Sequence, residues 1–417
     1  MLRSKSVKYG LLALAAPLMA VAWSQSSAQD SHAQSWLKNY QPTAQSKKFA
    51  PGTAAERRAR MAVIANSPQY TKKFDLSGLP AYAPKSKPSG VLRICGDNYI
   101  GDSPLGKWWQ QAFNKFQPGI KIEYTLQTAA DAIPCLYMNM ADIGINHEPS
   151  FYDDLAHLRL KGYLPVGISV FTGSYNVIGW QNNIVIIVNK SNPLTEVTMK
   201  QLDDVFGSQR AGGWVGTKWH PEFARGANEN IRTWGGLGLS GAWAGKTIDT
   251  YGFSLRYATA LEFSNKVLKG SDKWNGNLMA FGNYMRPNGR LYLEADQVID
   301  HVKDDPAGIG FTRYHDGLSN EVKVLALAET AAGPYVKYSI DSLQDRSYPL
   351  WGDQSFWVSA KPGTRLDPKI YEFIRFVLSR EGQQLVERDG KYLPLAASID
   401  AAQEARLDAL AEGRKVE

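Results

Sequence analysis

The chain has 417 residues, 44% hydrophobic, 21% charged and 11% aromatic, a globular composition able to bury a core in one large or two ordinary domains. Its 47 Lys and Arg against 40 Asp and Glu leave a formal charge of +7. The basic residues are scattered rather than striped and no nucleic-acid motif accompanies them, which excludes a nucleic-acid-binding chain.

Arg3, Lys5 and Lys8 precede an apolar run from Leu11 to Ala22, and Ser26-Ser27-Ala28 offers a small-residue cleavage site. The run is too short to cross a bilayer of about 30 Å as a helix. Residues 1–28 therefore read as a signal peptide, with an uncleaved anchor as the alternative, and place the mature chain in the periplasm or outside the cell. Removing the peptide lowers the formal charge to +4, a mild basic balance that suits an anionic ligand without requiring one. No Cys stands at a lipobox position. Residues 29–88 are rich in Ser, Ala, Gln, Lys and Pro, with a helical stretch at 53–64 and a linker at 83–90. They read as a partly ordered extension.

The main domain opens with the strand Val91–Cys95, followed by a helix from Pro104 whose apolar face is Leu105, Trp108, Trp109, Ala112, Phe113 and Phe116. Ile120–Leu126 alternates as a second strand. A short helix around Leu136–Met140 and the strand Ala141–Ile145 come next. Strand and helix alternating over about 55 residues predict a parallel, doubly wound α/β sheet. Ligands of such sheets sit at the carboxyl ends of the strands, here Gly96-Asp97, Thr128 to Asp131, and Asn146-His147. Cys95 and Cys135 fall on elements that such a sheet sets side by side, and in an oxidising compartment they read as one disulfide, with two free thiols as the alternative. Two cysteines alone make no zinc site, and no His stands at ligand spacing.

Two extended apolar segments, Ile184–Asn189 and Tyr348–Ser359, lie about 160 residues apart, so the chain between them can build a second lobe and return across a two-strand hinge. Lobe 1 is thus placed at 89–187 with 346–396, and lobe 2 at 188–345. Asp367–Arg388 has continuous helical periodicity, and the tail 397–417 reads as helical.

At four places the residues resemble a known family. Pro306-Ala307-Gly308-Ile309-Gly310-Phe311 is similar to the D-x-x-A-I-G-Y segment of periplasmic phosphate ABC transporter substrate-binding proteins (PstS-like). Arg232–Leu239 with Ala242-Trp243-Ala244 resembles a Trp-rich loop of one proteobacterial branch. Asp142-Ile143-Gly144 resembles the family's D-F-G, and Arg375–Gln384 with Tyr392–Leu395 resembles its C-terminal helix and strand. The resemblance covers about 90–395. It implies a type II periplasmic-binding fold, two doubly wound lobes closing on an anion, with no cofactor and no enzymatic activity.

The family's ligand residues transfer poorly. Thr128-Ala129-Ala130-Asp131-Ala132 stands where the resemblance implies G-S-S-G-G, so both serine hydroxyls are lost and a carboxylate is added. Asn146-His147 replaces the S-D whose Asp accepts the proton of hydrogen phosphate, which removes the filter against sulfate. Tyr251–Thr259 aligns with Y-G-R-D-S-G-S-G-T: Phe253 falls on the Arg, Ser254 on the Asp, and Thr259 keeps its chemistry. Arg256 is the nearest cation to supply the missing charge, or an ordinary surface residue. Asp97, Asn98 and Ser103 precede a helix and are either caps or ligand groups. The candidate set is Asp97, Asn98, Thr128, Asn146, His147, Ser254, Arg256 and Thr259.

Trp214, Trp219, Trp234 and Trp243 read as packing in a long loop, or as a platform for a sugar or aromatic ring. No G-x-S-x-G elbow, carboxylate pair or metal-ligand spacing points to a hydrolase. The sequence expectation is an exported, monomeric solute-binding protein for phosphate or another small anion, working with an ABC permease. The alternative is a secreted interaction protein that keeps the fold but has lost phosphate binding.

Overall fold

A computed structural model describes residues 58–62 and 69–416; the expected signal peptide and most of the expected extension lie outside the described residues. The chain enters lobe 1 with β1 (Gly90–Gly96), α1 (Asn98–Asp102), α2 (Leu105–Phe116) and β2 (Ile120–Thr125). It continues through α3 (Ala132–Tyr137), β3 (Ile143–Asn146), α4 (Phe151–Lys161) and β4 (Val166–Thr172). The short helix starts earlier than its periodicity suggests, because Thr128 caps a 3-10 turn that leads straight into α3.

Lobe 2 contains β5 (Val185–Val188), β6 (Glu196–Thr198), α5 (Met199–Phe206), the hairpin β7 (Gly213–Val215) and β8 (Lys218–His220), β9 (Asp249–Phe253) and α6 (Ala258–Lys266). After β10 (Met279–Phe281) come the hairpin β11 (Tyr284–Met285) and β12 (Leu291–Tyr292), α7 (Glu294–Asp304), β13 (Gly308–Thr312), β14 (Lys323–Val324) and β15 (Ala326–Ala328). The chain returns to lobe 1 through β16 (Asp353–Val358), α8 (Pro368–Leu378), α9 (Arg380–Asp389) and α10 (Ala397–Ala411).

The lobe 1 sheet has the order β2-β1-β3-β16-β4, with β2, β1 and β3 parallel and β16 antiparallel to both its neighbours. The lobe 2 sheet runs β10-β9-β13-β5-β14, again with a parallel trio and an antiparallel return through β5. Each sheet has its own apolar core: Trp109, Phe113, Phe171 and Phe373 in lobe 1, and Phe206, Phe253, Phe263 and Phe311 in lobe 2. The architecture is two α/β lobes joined by two crossings.

The first crossing occupies residues 173–184, and β5 pairs entirely within lobe 2. A boundary at 187 falls inside that strand; buried on both faces, its apolar run carries no mark of which sheet it joins. The two crossings are bonded to each other, Gly173 N donating to Gly352 O (2.8 Å) and Ile184 N to Leu350 O (3.0 Å). The approach needs glycine. A Cβ on Gly352 would lie 2.1 Å from the Asn182 carbonyl oxygen.

The stretch Asp367–Arg388, read as one periodic helix, breaks at Ser379, whose extended backbone and side chain cap α9 at Gly382 N. Residues 69–88 are the larger correction. They form an extended strap along lobe 1 in which Leu76, Leu79 and Tyr82 are buried. Glu372 accepts from Tyr82 OH (2.8 Å), Lys85 N (3.0 Å) and Ser86 N (2.6 Å), while Glu381 accepts from Tyr82 N (2.7 Å). A polar segment is ordered here by partners about 300 residues away in sequence.

Cys95 and Cys135 form a disulfide between β1 and α3. It closes 40 residues of chain, so the loop-entropy relation gives about 4 kcal/mol of stabilisation. Replacing both by Ser should lower the urea midpoint accordingly. An unchanged midpoint would show that the bond does not form in solution.

Candidate functional site

The carboxyl ends of the parallel strands in both sheets face one cleft between the lobes. From lobe 1 come the residues after β1 and β3. Asp97 is buried; its side chain accepts from Tyr99 N (3.0 Å), capping α1, and from Gln354 Nε2 (2.8 Å) and Tyr392 OH (3.4 Å). Burial pushes its carboxyl up to about 6. Asn98 donates to Asp102 within α1 (2.9 Å), and Ser103 accepts from Leu105 N (3.2 Å), so these polar groups close a helix. Thr128 is exposed and caps the turn at Ala130 N (3.4 Å). Asn146 donates to Glu148 O (2.9 Å), and its Oδ1 is buried without a partner.

His147 projects to lobe 2, its Nε2 lying 3.6 Å from Glu262 Oε1 without a hydrogen bond. Burial and then the nearby Arg313 push this imidazole down to about 3, so it is neutral at physiological pH. Beside it, Glu148 accepts from Asn265 across the cleft (2.9 Å).

Lobe 2 supplies α6 and the residue after β13. Tyr257 precedes α6 and gives no side-chain cap, so the first turn presents its amide end uncapped by a side chain. Thr259 in that turn is buried and its Oγ1 accepts from Arg313 Nε (3.1 Å) and Nη2. Ser254 is only half-buried, its amide donating to Phe281 O (2.7 Å). Arg256 is exposed at the tip of the turn before α6. The cation beside Thr259 is therefore Arg313, which follows β13, the sheet neighbour of the strand after which the sequence suggests one. Because β13 lies parallel to β9, its end delivers Arg313 to the same sheet edge. The strand-end rule, applied to lobe 2 as to lobe 1, is the signal that finds it.

Three more charged groups escape the sequence reading. Glu262 and Lys266 follow Thr259 at helical spacing on α6. Burial pushes Glu262 up to about 8 despite Lys266 and Arg313, and its Oε2 has no hydrogen-bond partner. Burial likewise pushes the Lys266 amine down; its Nζ donates to the Trp351 carbonyl oxygen and lies 4.3 Å over the Trp351 ring. Arg60 reaches in from the extension, donating to Tyr99 OH (2.8 Å) with Glu294 at 3.7 Å. Arg60, Gln181, Glu294, Arg313 and His315 wall a cavity of about 20 Å³, room for a water-sized group.

The Glu262 carboxyl sets a pH test. A carboxyl raised on folding leaves stability intact below its unfolded value, near 4.5, and removes it as pH climbs toward about 8, since the unfolded chain ionises first. Asp97, Asp154 and Asp400, raised to about 6, 7 and 8, slope the same way. The difference between wild type and Glu262→Gln isolates one group. The variant should lose less stability between pH 5 and pH 8, read from urea midpoints; parallel profiles would show that Glu262 is ionised throughout.

The arrangement gathers a fixed guanidinium, a buried hydroxyl, a helix amide end and a neutral imidazole around one cleft, groups suited to holding an anion and not to covalent chemistry. Among the described residues no cluster of His, Cys, Asp or Glu can hold a metal ion, and no helix is long and apolar enough to cross a membrane. No family model matches the chain. The chain is similar to the phosphate-binding protein PstS of two strains of Pseudomonas aeruginosa, 26% identical over 322 residues, 77% of this chain and 88% of the relative. Its structure is similar to PstS of Borrelia burgdorferi, 14% identical over 75% of this chain and 100% of the other, with a TM-score of 0.45. It is also similar to an ABC-type phosphate transport receptor of Vibrio cholerae, 14% identical over 72% and 99%, with a TM-score of 0.44. In sequence the chain is thus similar to phosphate-binding proteins of the PstS kind.

Proposed function

We propose that this PstS-like chain is an exported substrate-binding subunit of an ABC transporter, taking phosphate or a related small oxyanion in the cleft and handing it to a permease. The carrying observation is Arg313, held by Thr259 at the first turn of α6, where guanidinium and helix amides converge. This pair offers a substitute for the lost family Arg and serines. Glu262 does not oppose it: a carboxyl raised to about 8 is largely protonated at neutral pH and can donate to an oxyanion. His147 and Asn146 complete the lobe 1 side of the proposed site, and export to the periplasm follows the leader-like segment at 1–28.

Isothermal titration of the mature chain with phosphate and with sulfate tests this. Saturable phosphate binding is the expected result. Heat with sulfate alone would move the ligand to a fully ionised oxyanion.

A second reading has its own observation. Glu148 bonds Asn265, His147 abuts Glu262, and Lys266 holds the Trp351 carbonyl, so the chain's own side chains bridge the cleft. A secreted interaction protein that no longer imports a solute would look like this. Absence of heat with either anion would select it.

A further inference from the structure

Beside α6 lies a much larger cavity, about 630 Å³, which the anion reading does not use. It opens between the lobes and is walled by five aromatic side chains: Phe151, Tyr152 and Trp357 from lobe 1, Trp214 and Trp274 from lobe 2. The Trp-rich loop of the sequence divides accordingly. Trp234 is fully buried with Trp243 against it (6.0 Å between centroids), whereas Trp214 lines this cavity with Trp219 behind it (5.0 Å).

The walls are fixed in place. The Trp357 indole donates to Asn146 O (3.0 Å), and Trp274 stacks on Phe263 (5.6 Å). Phe151 meets Trp214 across the gap between lobes at 4.9 Å. The volume lies within the range of small-molecule sites, and apolar walls with few polar groups are their usual composition.

The charged groups are mainly acidic. Glu148, Asp154 and Asp272 line the cavity, Asp272 with Lys273 at 3.5 Å. Among the described residues Glu148 has the Asn265 amide as its one side-chain hydrogen-bond partner. Asp154 makes no ion pair or side-chain hydrogen bond among the described residues, since the neighbouring Asp153 closes the capping box with Ser150. Burial, then Asp153 and Glu148, push the Asp154 carboxyl up to about 7. Lys266 is the one cation on the walls, and its Nζ is turned to the Trp351 carbonyl oxygen. A half-buried carboxylate without a counter-charge, set among aromatic faces, is the environment that attracts a desolvated cation.

We propose that this cavity binds a small organic cation with an apolar body, its charge against Asp154 and Glu148 and its body between Phe151, Trp214 and Trp357. Because both lobes supply walls, such a ligand spans the cleft and favours the closed arrangement. The site is separate from Arg313 and Thr259 and does not depend on the anion reading.

The test uses the mature chain at pH 8, where Asp154 is mostly ionised, with phenethylammonium as probe and 2-phenylethanol as its uncharged counterpart. Titration calorimetry and tryptophan fluorescence should show saturable binding of the ammonium and at least about tenfold weaker binding of the alcohol. Asp154→Asn and Trp214→Ala should each weaken the ammonium by about tenfold, with melting temperatures confirming the fold. Equal binding of both probes, no binding of the ammonium up to millimolar concentration, or unchanged affinity in both variants would overturn the proposal. Arg313→Ala should leave ammonium binding intact, and Trp214→Ala should leave phosphate binding intact, so the two sites can fail separately.

Discussion

Arg313→Ala is expected to weaken phosphate binding by about 10²–10⁴-fold. Two charge-assisted hydrogen bonds from one guanidinium are each worth about 1.5–3 kcal/mol, and each 1.4 kcal/mol is about tenfold in affinity. The guanidinium is already positioned by Thr259, so little ordering opposes the contact when ligand arrives. Arg313→Lys should recover part of the loss by restoring charge without the planar fork. Removing Arg313 also removes a positive neighbour of His147 and lets that imidazole titrate closer to its ordinary range. Arg256→Ala serves as the control: exposed at the turn tip, it should change affinity less than about twofold. An Arg256 effect larger than the Arg313 effect would return the anion site to the position the sequence suggests.

What the sequence disclosed follows from where its information is local. Leu105, Trp109 and Phe113 repeat at four-residue spacing and all three are fully buried in α2, so one helix face was legible from periodicity alone. The break at Ser379 was not, because periodicity records which face is apolar and is blind to one extended residue between two helices. The strap failed for the opposite reason. Its composition is that of a linker, and its order rests on Glu372, Arg380 and Glu381, which no local window contains.

The site divides the same way. Of the two residues the sequence offers as caps, Asp97 caps α1, whereas Ser103 accepts from Leu105 N ahead of α2, whose N-cap is Pro104. The sequence singles out Thr259 because it sits where the resemblance implies a retained threonine. Arg313 is hidden in the sequence because it lies far along the chain from Phe253, the position that lost the charge. Parallel neighbours β9 and β13 pair residues 59 positions apart in sequence, so proximity along the chain points to Arg256 and proximity in the sheet points to Arg313.

The strap gives the second large expectation. Glu372 is fully buried and accepts four hydrogen bonds, from Tyr82 OH, Lys85 N, Ser86 N and Ser86 Oγ, with Arg375 at 3.9 Å. Glu372→Ala strands those donors at the strap and should cost about 3–5 kcal/mol of stability. Glu372→Gln keeps the shape and part of the accepting capacity and should cost less. The strap should loosen before the lobes do, because Glu372 takes four of the bonds that hold Tyr82 to Ser86, leaving Glu381 to Tyr82 N, Gln117 to the Ser86 carbonyl and Arg375 to the Ala83 carbonyl. Limited proteolysis should then cut the variant within 80–90 under conditions that leave the wild type whole; an unchanged pattern would show that packing of the Tyr82 ring on Phe116 and Phe376 suffices. The strap also carries Tyr70, whose hydroxyl bonds Ser174 Oγ (2.7 Å) and accepts from Asn176 N (3.2 Å) in the first crossing. Loosening it frees a contact on the hinge, so Glu372→Ala should change ligand off-rate as well as stability, an effect far from the cleft that no altered ligand contact explains.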